Sequence, residues 1–268
     1  MRICPAIGLL LAIAACEPSN SVDPRTAVAA APQFDGADFK TEAAKVAHGK
    51  RMTDVLGCTG CHGAELRGKR FYELYASNLT REIPKYNDAQ FERLMRAGEH
   101  PTGREVWGMP SEIFQHLSDA ELTALLAYLR SLPPAGQPTQ PRLPFEEESK
   151  QLIAKGELKP AADFVREEKA LAPVDLGPRH ALGRYITRVT CAECHGAELK
   201  GRDNPDLIVA SGYGREEFER LLTQGIPTGG RKLKPMMEGV AKDRFARMTR
   251  HERDALYAYL EARAEQPQ

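Results

Sequence analysis

Two five-residue motifs with the same chemical pattern lie far apart in the sequence. Each has two cysteines separated by two residues and followed at once by a histidine: CTGCH covers 58–62 and CAECH covers 191–195. Both motifs continue with Gly-Ala-Glu-Leu, so their similarity extends beyond the five residues. Thiols and an imidazole at this spacing serve three known purposes, which are haem attachment, zinc binding and thiol redox exchange.

Haem attachment explains both motifs best. Cysteines three positions apart reach the two vinyl groups of one haem, and the adjacent histidine projects onto the iron. A thioredoxin-like motif follows a β-strand, and a zinc site needs further cysteines or histidines at tetrahedral spacing. Neither motif follows a clear strand in this sequence. The sequence therefore predicts two covalently bound haem c groups, attached through Cys58, Cys61, His62, Cys191, Cys194 and His195.

The chain contains two copies of one unit, and each copy holds one motif. YNDAQFERLMRAG begins at Tyr86, and YGREEFERLLTQG begins at Tyr213. Closer to the end of each copy, LSDAELTALLAYLRSLP begins at Leu117, and MTRHERDALYAYLEARA begins at Met248. Self-similarity of this kind indicates tandem domains, so we expect the same fold twice.

Each copy has the pattern of a helical domain. Apolar residues recur at helical spacing over 41–56 and 88–98 in the first copy. Ser118 with Glu121 predicts a capping box at the start of its last helix, and Thr249 with Glu252 predicts the same in the second copy.

A glycine and a tyrosine recur at matching positions in the two copies. Gly49 or Gly183 lies in the first helix of each copy, and Tyr128 or Tyr259 lies in the last helix. Because glycine has no side chain, it lets another helix approach closely. We therefore expect the first and last helices of each copy to cross, with the glycine facing the tyrosine.

Both copies resemble class I cytochrome c domains. The resemblance rests on SNLT at 77–80, WGMP at 107–110 and LSDAELTALLAYLRSLP at 117–133. It is strongest to bacterial dihaem and multihaem cytochromes c, including cytochrome subunits of membrane-bound dehydrogenases. It implies an all-α fold with two tandem domains, each wrapped around one haem. The domains cover 41–135 and 176–268, and a linker with short helical segments covers 136–175.

The resemblance implies a histidine and a methionine as the two axial ligands of each iron. In the first copy Met109 lies in WGMP, where the family has its ligand. In the second copy KPMMEGV offers two candidates: alignment from the residues that follow favours Met237, whereas counting forward from Tyr213 favours Met236. We prefer Met237 and keep Met236 as the alternative. Met52 lies on an amphipathic helix and is predicted to be a core residue.

The remaining histidines of the domains have polar neighbours in the sequence and are predicted to face solvent: His48, His100, His116, His180 and His251. His100 precedes the ligand loop of the first copy, so it is an alternative ligand, less favoured than Met109.

The first residues resemble an export signal. MRICPAIGLLLAIAAC has a charged start, a short apolar run and small residues before Cys16. Its end, IAAC, resembles the bacterial lipoprotein box, which implies a signal peptide over 1–15 and a lipid on Cys16; the alternative is an ordinary signal cut near Ala15. Glu17 after the cysteine slightly favours the outer membrane. Residues 16–40 are predicted to be a flexible tether because Pro, Ala, Ser and Asp dominate them.

Ligation and composition together predict the function. The formal net charge is zero, so composition implies no general affinity for nucleic acid. An iron with protein ligands on both faces has no open site for a substrate, which favours an electron carrier over an enzyme. We expect a periplasmic, lipid-anchored dihaem cytochrome c that transfers electrons between periplasmic or membrane redox partners. One alternative is the electron-accepting subunit of a dehydrogenase or oxidase complex. A dihaem peroxidase or thiosulfate-oxidising enzyme is less favoured.

Overall fold

The computed structural model describes residues 31–201 and 203–266. The predicted signal peptide and Cys16 lie outside this range. Among the described residues, none of the helices combines the length and the apolar character that crossing a membrane requires.

The first half consists of short helices and one β-hairpin around an apolar core. The elements follow one another in this order: α1 (Glu42–Val55), α2 (Cys58–His62), β1 (Lys69–Phe71), β2 (Leu74–Ala76), α3 (Leu79–Glu82), α4 (Asp88–Ala97), α5 (Ser111–Phe114) and α6 (Asp119–Ser131). The two strands are antiparallel, and Arg70 pairs with Tyr75. The sequence predicts only helices in this half, so the hairpin is an element that the prediction lacks.

Local chemistry sets the ends of these helices. Thr41 precedes α1, and its side chain accepts a hydrogen bond from the amide of Ala44. Asn87 and Gln90 form a reciprocal capping box at the start of α4. Helix α4 ends at Gly98, which has a φ of 67°, a conformation that glycine adopts without strain. Both helices that periodicity predicts in this half are therefore confirmed.

The linker contains the short helices that the sequence predicts and lies against the first half. Helix α7 covers Glu147–Ala154, and helix α8 covers Ala161–Glu168. The amide of Ala161 donates to the carbonyl of Val106 at 2.7 Å. The rings of Trp107 and Phe145 meet edge to face, with centroids 4.9 Å apart. The linker thus covers the segment that leads to Met109.

The second half repeats the helices but has no hairpin among its described residues. Its elements are α9 (Ala181–Ile186), a π-helical turn (Thr187–Cys191), α10 (Ala192–His195), α11 (Arg215–Gln224), α12 (Pro235–Gly239), a second π-helical turn (Val240–Arg244) and α13 (Arg250–Ala264), with short 3-10 helices at Pro178–His180, Leu207–Gly212 and Phe245–Arg247. The helical tandem architecture predicted from the sequence is therefore confirmed.

The predicted helix crossing occurs in both halves. A Cβ atom on Gly49 would lie 1.9 Å from the carbonyl oxygen of Ala124 and 2.9 Å from the Cβ of Tyr128. A Cβ atom on Gly183 would lie 2.5 Å from the Cβ of Tyr259. No side chain fits at either glycine, so the first and last helices of each half pack backbone against backbone.

The segment before α1 is fixed between the two halves, so the prediction of a flexible tether is wrong for its last residues. Phe34 is 1% exposed. Its amide donates to Glu121 Oε1 at 2.8 Å, and the amide of Asp35 donates to Glu252 Oε1 at 2.8 Å. Composition could not reveal these contacts, because the carboxylates that accept the two hydrogen bonds lie far away in the sequence.

The two halves contact each other through matching positions of the repeat. Tyr185 donates to Glu121 Oε2 at 2.8 Å, and its oxygen accepts from the amide of Ser118 at 3.0 Å. The capping box predicted for α6 is therefore incomplete, because this amide pairs with the tyrosine instead of Glu121. The corresponding box of Thr249 and Glu252 is complete in α13.

Candidate functional site

The first motif lines a large apolar cavity. Helix α2 carries it and begins after Gly57, which has a φ of 79°. Cys58, Cys61, His62 and Met109 all line the cavity, whose volume is about 1200 Å³ including its opening to solvent. Most of the remaining wall is apolar, and it includes Leu56, Leu79, Ile83, Phe91, Leu125 and Leu129.

His62 is held with one ring nitrogen available. Its Nδ1 lies 2.8 Å from the carbonyl oxygen of Ser77, and because a carbonyl only accepts, Nδ1 carries the proton. Burial lowers the pKa of His62, so the ring is neutral. The lone pair on Nε2 is then free to bind a metal, and the carbonyl fixes the orientation of the ring.

The two thiols of the first motif are free and protonated. Neither Cys58 nor Cys61 is in a disulfide. Burial raises the pKa of Cys58 to about 12 and also raises the pKa of Cys61. Both therefore remain thiols at neutral pH, which is the form that adds across a vinyl group.

His100 also lines this cavity, but both of its ring nitrogens have protein partners. Its Nε2 lies 2.9 Å from the hydroxyl of Tyr86, and its Nδ1 lies 2.9 Å from the hydroxyl of Thr102. Met109 is half-buried and packs against the core. Of the two candidates for the second axial position, Met109 is the one with a side chain free to bind.

The second motif repeats the arrangement of the histidine. The Nδ1 of His195 donates to the carbonyl oxygen of Pro205 at 2.8 Å, and burial lowers the pKa of the ring. Burial also raises the pKa of Cys191 to about 11, and Cys191 and Cys194 are free. The donor set of the first motif is therefore present in the second half as well.

Sequence reasoning missed the two carbonyl groups that orient the histidines. Ser77 follows its histidine by 15 residues and Pro205 by 10, and the difference accommodates the hairpin. The signal in the sequence is the leucine that follows two positions later, because Leu79 and Leu207 donate their amides to equivalent carbonyls after each motif. Matching the two copies around these leucines would have found the carbonyls.

The two adjacent methionines of the second half occupy different environments. Met236 is 66% exposed, whereas Met237 is half-buried and packs against the core. Both lie in helix α12, so adjacent side chains point in directions about 100° apart. This geometry favours Met237 as the candidate ligand.

A basic residue connects the methionine loop to the histidine side of each half. Lys234 donates to the carbonyl of Asp203 at 2.8 Å, and Asn204 donates to the carbonyl of Cys194 at 2.9 Å. In the first half Arg104 lies 3.4 Å from the hydroxyl of Ser77. In each half a side-chain contact therefore joins the segment before the methionine to the segment after the histidine.

The prediction of solvent-facing histidines is wrong for His48. Its side chain is buried, and its Nε2 lies 3.9 Å from Glu121 Oε1. His100, His116 and His180 are half-buried, and His251 is exposed as predicted. His48 lies on the helix face that meets α6, a pairing that the local sequence does not reveal.

The family model for cytochrome c matches residues 46–133 and 181–263. These two segments make up more than half of the chain and contain both motifs. The chain belongs to the cytochrome c family.

Two curated proteins are similar to parts of this cytochrome. One of the subunits of nicotinate dehydrogenase from Pseudomonas putida is 31% identical over 122 residues, which cover 39% of this chain and 10% of that protein. The Cbb3-type cytochrome c oxidase subunit CcoP of Helicobacter pylori is 31% identical over 86 residues, which cover 32% of this chain and 27% of that protein. The matches thus span only a small part of either relative.

The family binds haem c covalently, and the residues of this cytochrome fit that group. The first cavity combines two protonated thiols, a neutral imidazole with a free Nε2 and a thioether within apolar walls. Among the residues that the structure describes, no group of three or more His, Cys, Asp or Glu side chains is arranged to hold a metal ion. The thiols and the imidazole therefore fit the covalent haem c that the family binds.

Proposed function

We propose that this cytochrome carries two haem c groups and transfers electrons between redox proteins of the periplasm or the membrane. The first haem would be held by Cys58, Cys61, His62 and Met109. The second would be held by Cys191, Cys194, His195 and Met237. When bound, each haem supplies an iron that accepts or releases one electron.

The observation that carries this proposal is the composition of the first cavity. His62 and Met109 line the same apolar space as the two attachment cysteines. A neutral imidazole and a thioether are both good ligands for haem iron, and the thioether raises its potential. With a protein ligand for each axial position, the site is suited to moving electrons and leaves no position for a substrate.

The protein prepares both sites before an electron arrives. The carbonyls of Ser77 and Pro205 hold the imidazoles in one orientation, and Lys234 ties the second methionine loop in place. The walls of the first cavity are mostly apolar and would surround a haem with a medium of low polarity. Ligands that do not move when the charge of the iron changes keep the reorganisation energy small, and a small reorganisation energy favours fast electron transfer.

Haem content and a redox titration test the proposal together. The protein, produced in a host that attaches haem c, should contain two haems per chain after denaturation and give low-spin spectra in both oxidation states. The titration should resolve two one-electron steps. A high-spin spectrum or turnover of peroxide would favour the enzyme alternative, and fewer than two haems would overturn the two-haem assignment.

Export and lipid anchoring form a second part of the proposal. The lipoprotein-like sequence that ends at Cys16 supports a lipid on that residue and a periplasmic, membrane-anchored location, with the outer membrane slightly favoured. Cells grown with labelled palmitate should label the wild-type protein and not Cys16→Ala. A wild-type protein that carries no palmitate label would contradict the anchor.

The relatives favour a second candidate function. They are named as subunits of a dehydrogenase and of an oxidase, so this cytochrome is a candidate electron-accepting subunit of such a complex. Gentle purification from its native membrane should then recover a stoichiometric partner with its own redox cofactor. Recovery of the cytochrome alone, with exchange of electrons in transient collisions, would favour the independent carrier.

A further inference from the structure

One guanidinium group lies between the two motifs. Arg244 belongs to the second half, yet its Nε donates to the carbonyl of Val55 in the first half at 3.2 Å. Its Nη1 donates to Glu193 at 2.9 Å, and Glu193 is a middle residue of the second motif. Its side chain is only 12% exposed, and among the described residues its Nη2 is buried without a hydrogen-bond partner.

The same guanidinium packs against the start of the first motif. A Cβ atom on Gly57 would lie 2.8 Å from the Cζ and Nε atoms of Arg244. Gly57 directly precedes Cys58. The stretch from Gly49 to Cys58 is one residue longer than the matching stretch from Gly183 to Cys191 in the second copy. The extra glycine of the first copy therefore makes room for an arginine from the second.

Glu193 extends this contact into the first site. It is a residue of the second motif, yet it lines the cavity of the first. The matching position of the first motif is Gly60, which has no side chain. Arg244 thus packs against the residue before Cys58 and binds the residue before Cys194, so its charge lies beside both attachment sites.

We propose that Arg244 is a positioning residue that joins the two attachment motifs and holds one fixed positive charge that both haems share. This inference rests on the proposed function, because it requires a haem at each motif. Reduction adds one electron to an iron, so a nearby positive charge favours the reduced state of each haem. The negative charge of Glu193 favours the oxidised state and therefore reduces the effect of Arg244 on the potentials.

A shared charge makes specific predictions for charge-changing variants. Arg244→Gln should lower the equilibrium constant for reduction of each haem by about tenfold, a fall of about 59 mV for a one-electron couple. Arg244→Lys keeps the charge and should restore most of the wild-type potential. Glu193→Gln removes the opposing charge and should raise both potentials.

Spectroelectrochemical titration of the two-haem protein measures these shifts. Arg166→Gln is the matched control, because Arg166 is 71% exposed in the linker helix α8 and pairs with Asp163. It should leave both potentials unchanged. Since Arg244 is largely buried, the shift in Arg244→Gln should also persist at high salt, where exposed charges are screened.

The outcomes separate this inference from the proposed function. Fewer than two haems per chain overturns the proposed function. Two haems whose potentials are unchanged in Arg244→Gln, or of which only one responds, overturn the shared charge alone. If Arg244→Gln fails to fold, Glu193→Gln decides instead, and an unchanged pair of potentials in that variant overturns the inference.

Discussion

Arg51 and Glu252 form a two-point ion pair between the two halves of the molecule. Nη1 of Arg51 lies 2.8 Å from Oε2 of Glu252, and Nη2 lies 2.9 Å from Oε1. Arg51 follows Gly49 by two positions, as Tyr185 follows Gly183, and Tyr185 binds Glu121 of the opposite half. The same two positions of the repeat therefore form a contact between the halves twice. Arginine binds glutamate in one contact, and tyrosine binds glutamate in the other.

Removing the charge of Glu252 should destabilise the protein, because the carboxylate is fully buried and is paired with Arg51. Glu252→Gln leaves the arginine without its charged partner and should cost about 3 kcal/mol of unfolding free energy. Denaturant unfolding of the haem-loaded protein measures this loss. Glu216→Gln, which changes an exposed residue of α11, should stay within about 0.5 kcal/mol of wild type. Equal effects of the two variants would contradict the role of the pair.

A side chain at the helix crossing should be poorly tolerated. Gly49→Ala places a methyl group against the carbonyl of Ala124 and should destabilise the first half by about 3 kcal/mol. Thermal unfolding of the haem-loaded protein checks this. Gly212→Ala is the control, since a Cβ atom there meets nothing within 4 Å. A variant Gly49→Ala as stable as the control would show that the helices separate at little cost.

The two methionines of α12 should differ in their effect on the second haem. Met237→Ala removes the proposed thioether ligand, so the second haem should lose its low-spin spectrum and its potential should fall. Met236→Ala is the natural control because it changes the adjacent, exposed side chain. Absorption spectra of the ferric protein and a redox titration distinguish the variants. Loss of the low-spin signal in Met236→Ala alone would reverse the assignment.

His116 should make the protein less stable in mild acid. Burial lowers its pKa to about 4, and the charges of Arg188 and Arg96 act in the same direction. Between this value and the ordinary pKa of about 6.5 the unfolded chain binds more protons than the folded one. Stability should therefore be greatest above pH about 6.5 and fall as the pH drops toward about 4.

The histidine is tested by comparing pH profiles of the melting temperature. His116→Gln has no group that titrates in this range, so its profile should be flatter than that of the wild type from pH about 6.5 to about 4. Other groups contribute equally to both proteins and cancel in the difference. Parallel profiles would assign the acid sensitivity to another residue.

Local patterns predicted the helices well, because the physics that sets them is local, and they also supplied the ligand candidates, which remain predictions. The spacing of Cys58, Cys61 and His62 and the capping box of Thr249 and Glu252 each depend on a few neighbouring residues. The helix crossing at Gly49 was also predictable, since the repeat shows the same glycine and tyrosine twice.

The contacts between the halves could not be read from the sequence. Phe34 and Asp35 lie in a stretch rich in Ala and Pro, and their partners Glu121 and Glu252 are remote. Each of these glutamates also lies three positions after a helix N-cap residue, so the local sequence already explains it as part of a capping box. The same holds for Arg244, whose partners become neighbours only after both halves have folded.

With the lipid on Cys16 that we propose, the buried position of Phe34 would limit how far the folded part of this molecule moves from a membrane. If Cys16 carries a lipid, only the residues between position 16 and position 34 are left to span the distance, instead of the longer stretch up to position 40. Fully extended, these 18 steps reach roughly 60 Å. In that case Phe34 would stay within that distance of the bilayer surface, and the carrier would meet its redox partners close to the membrane.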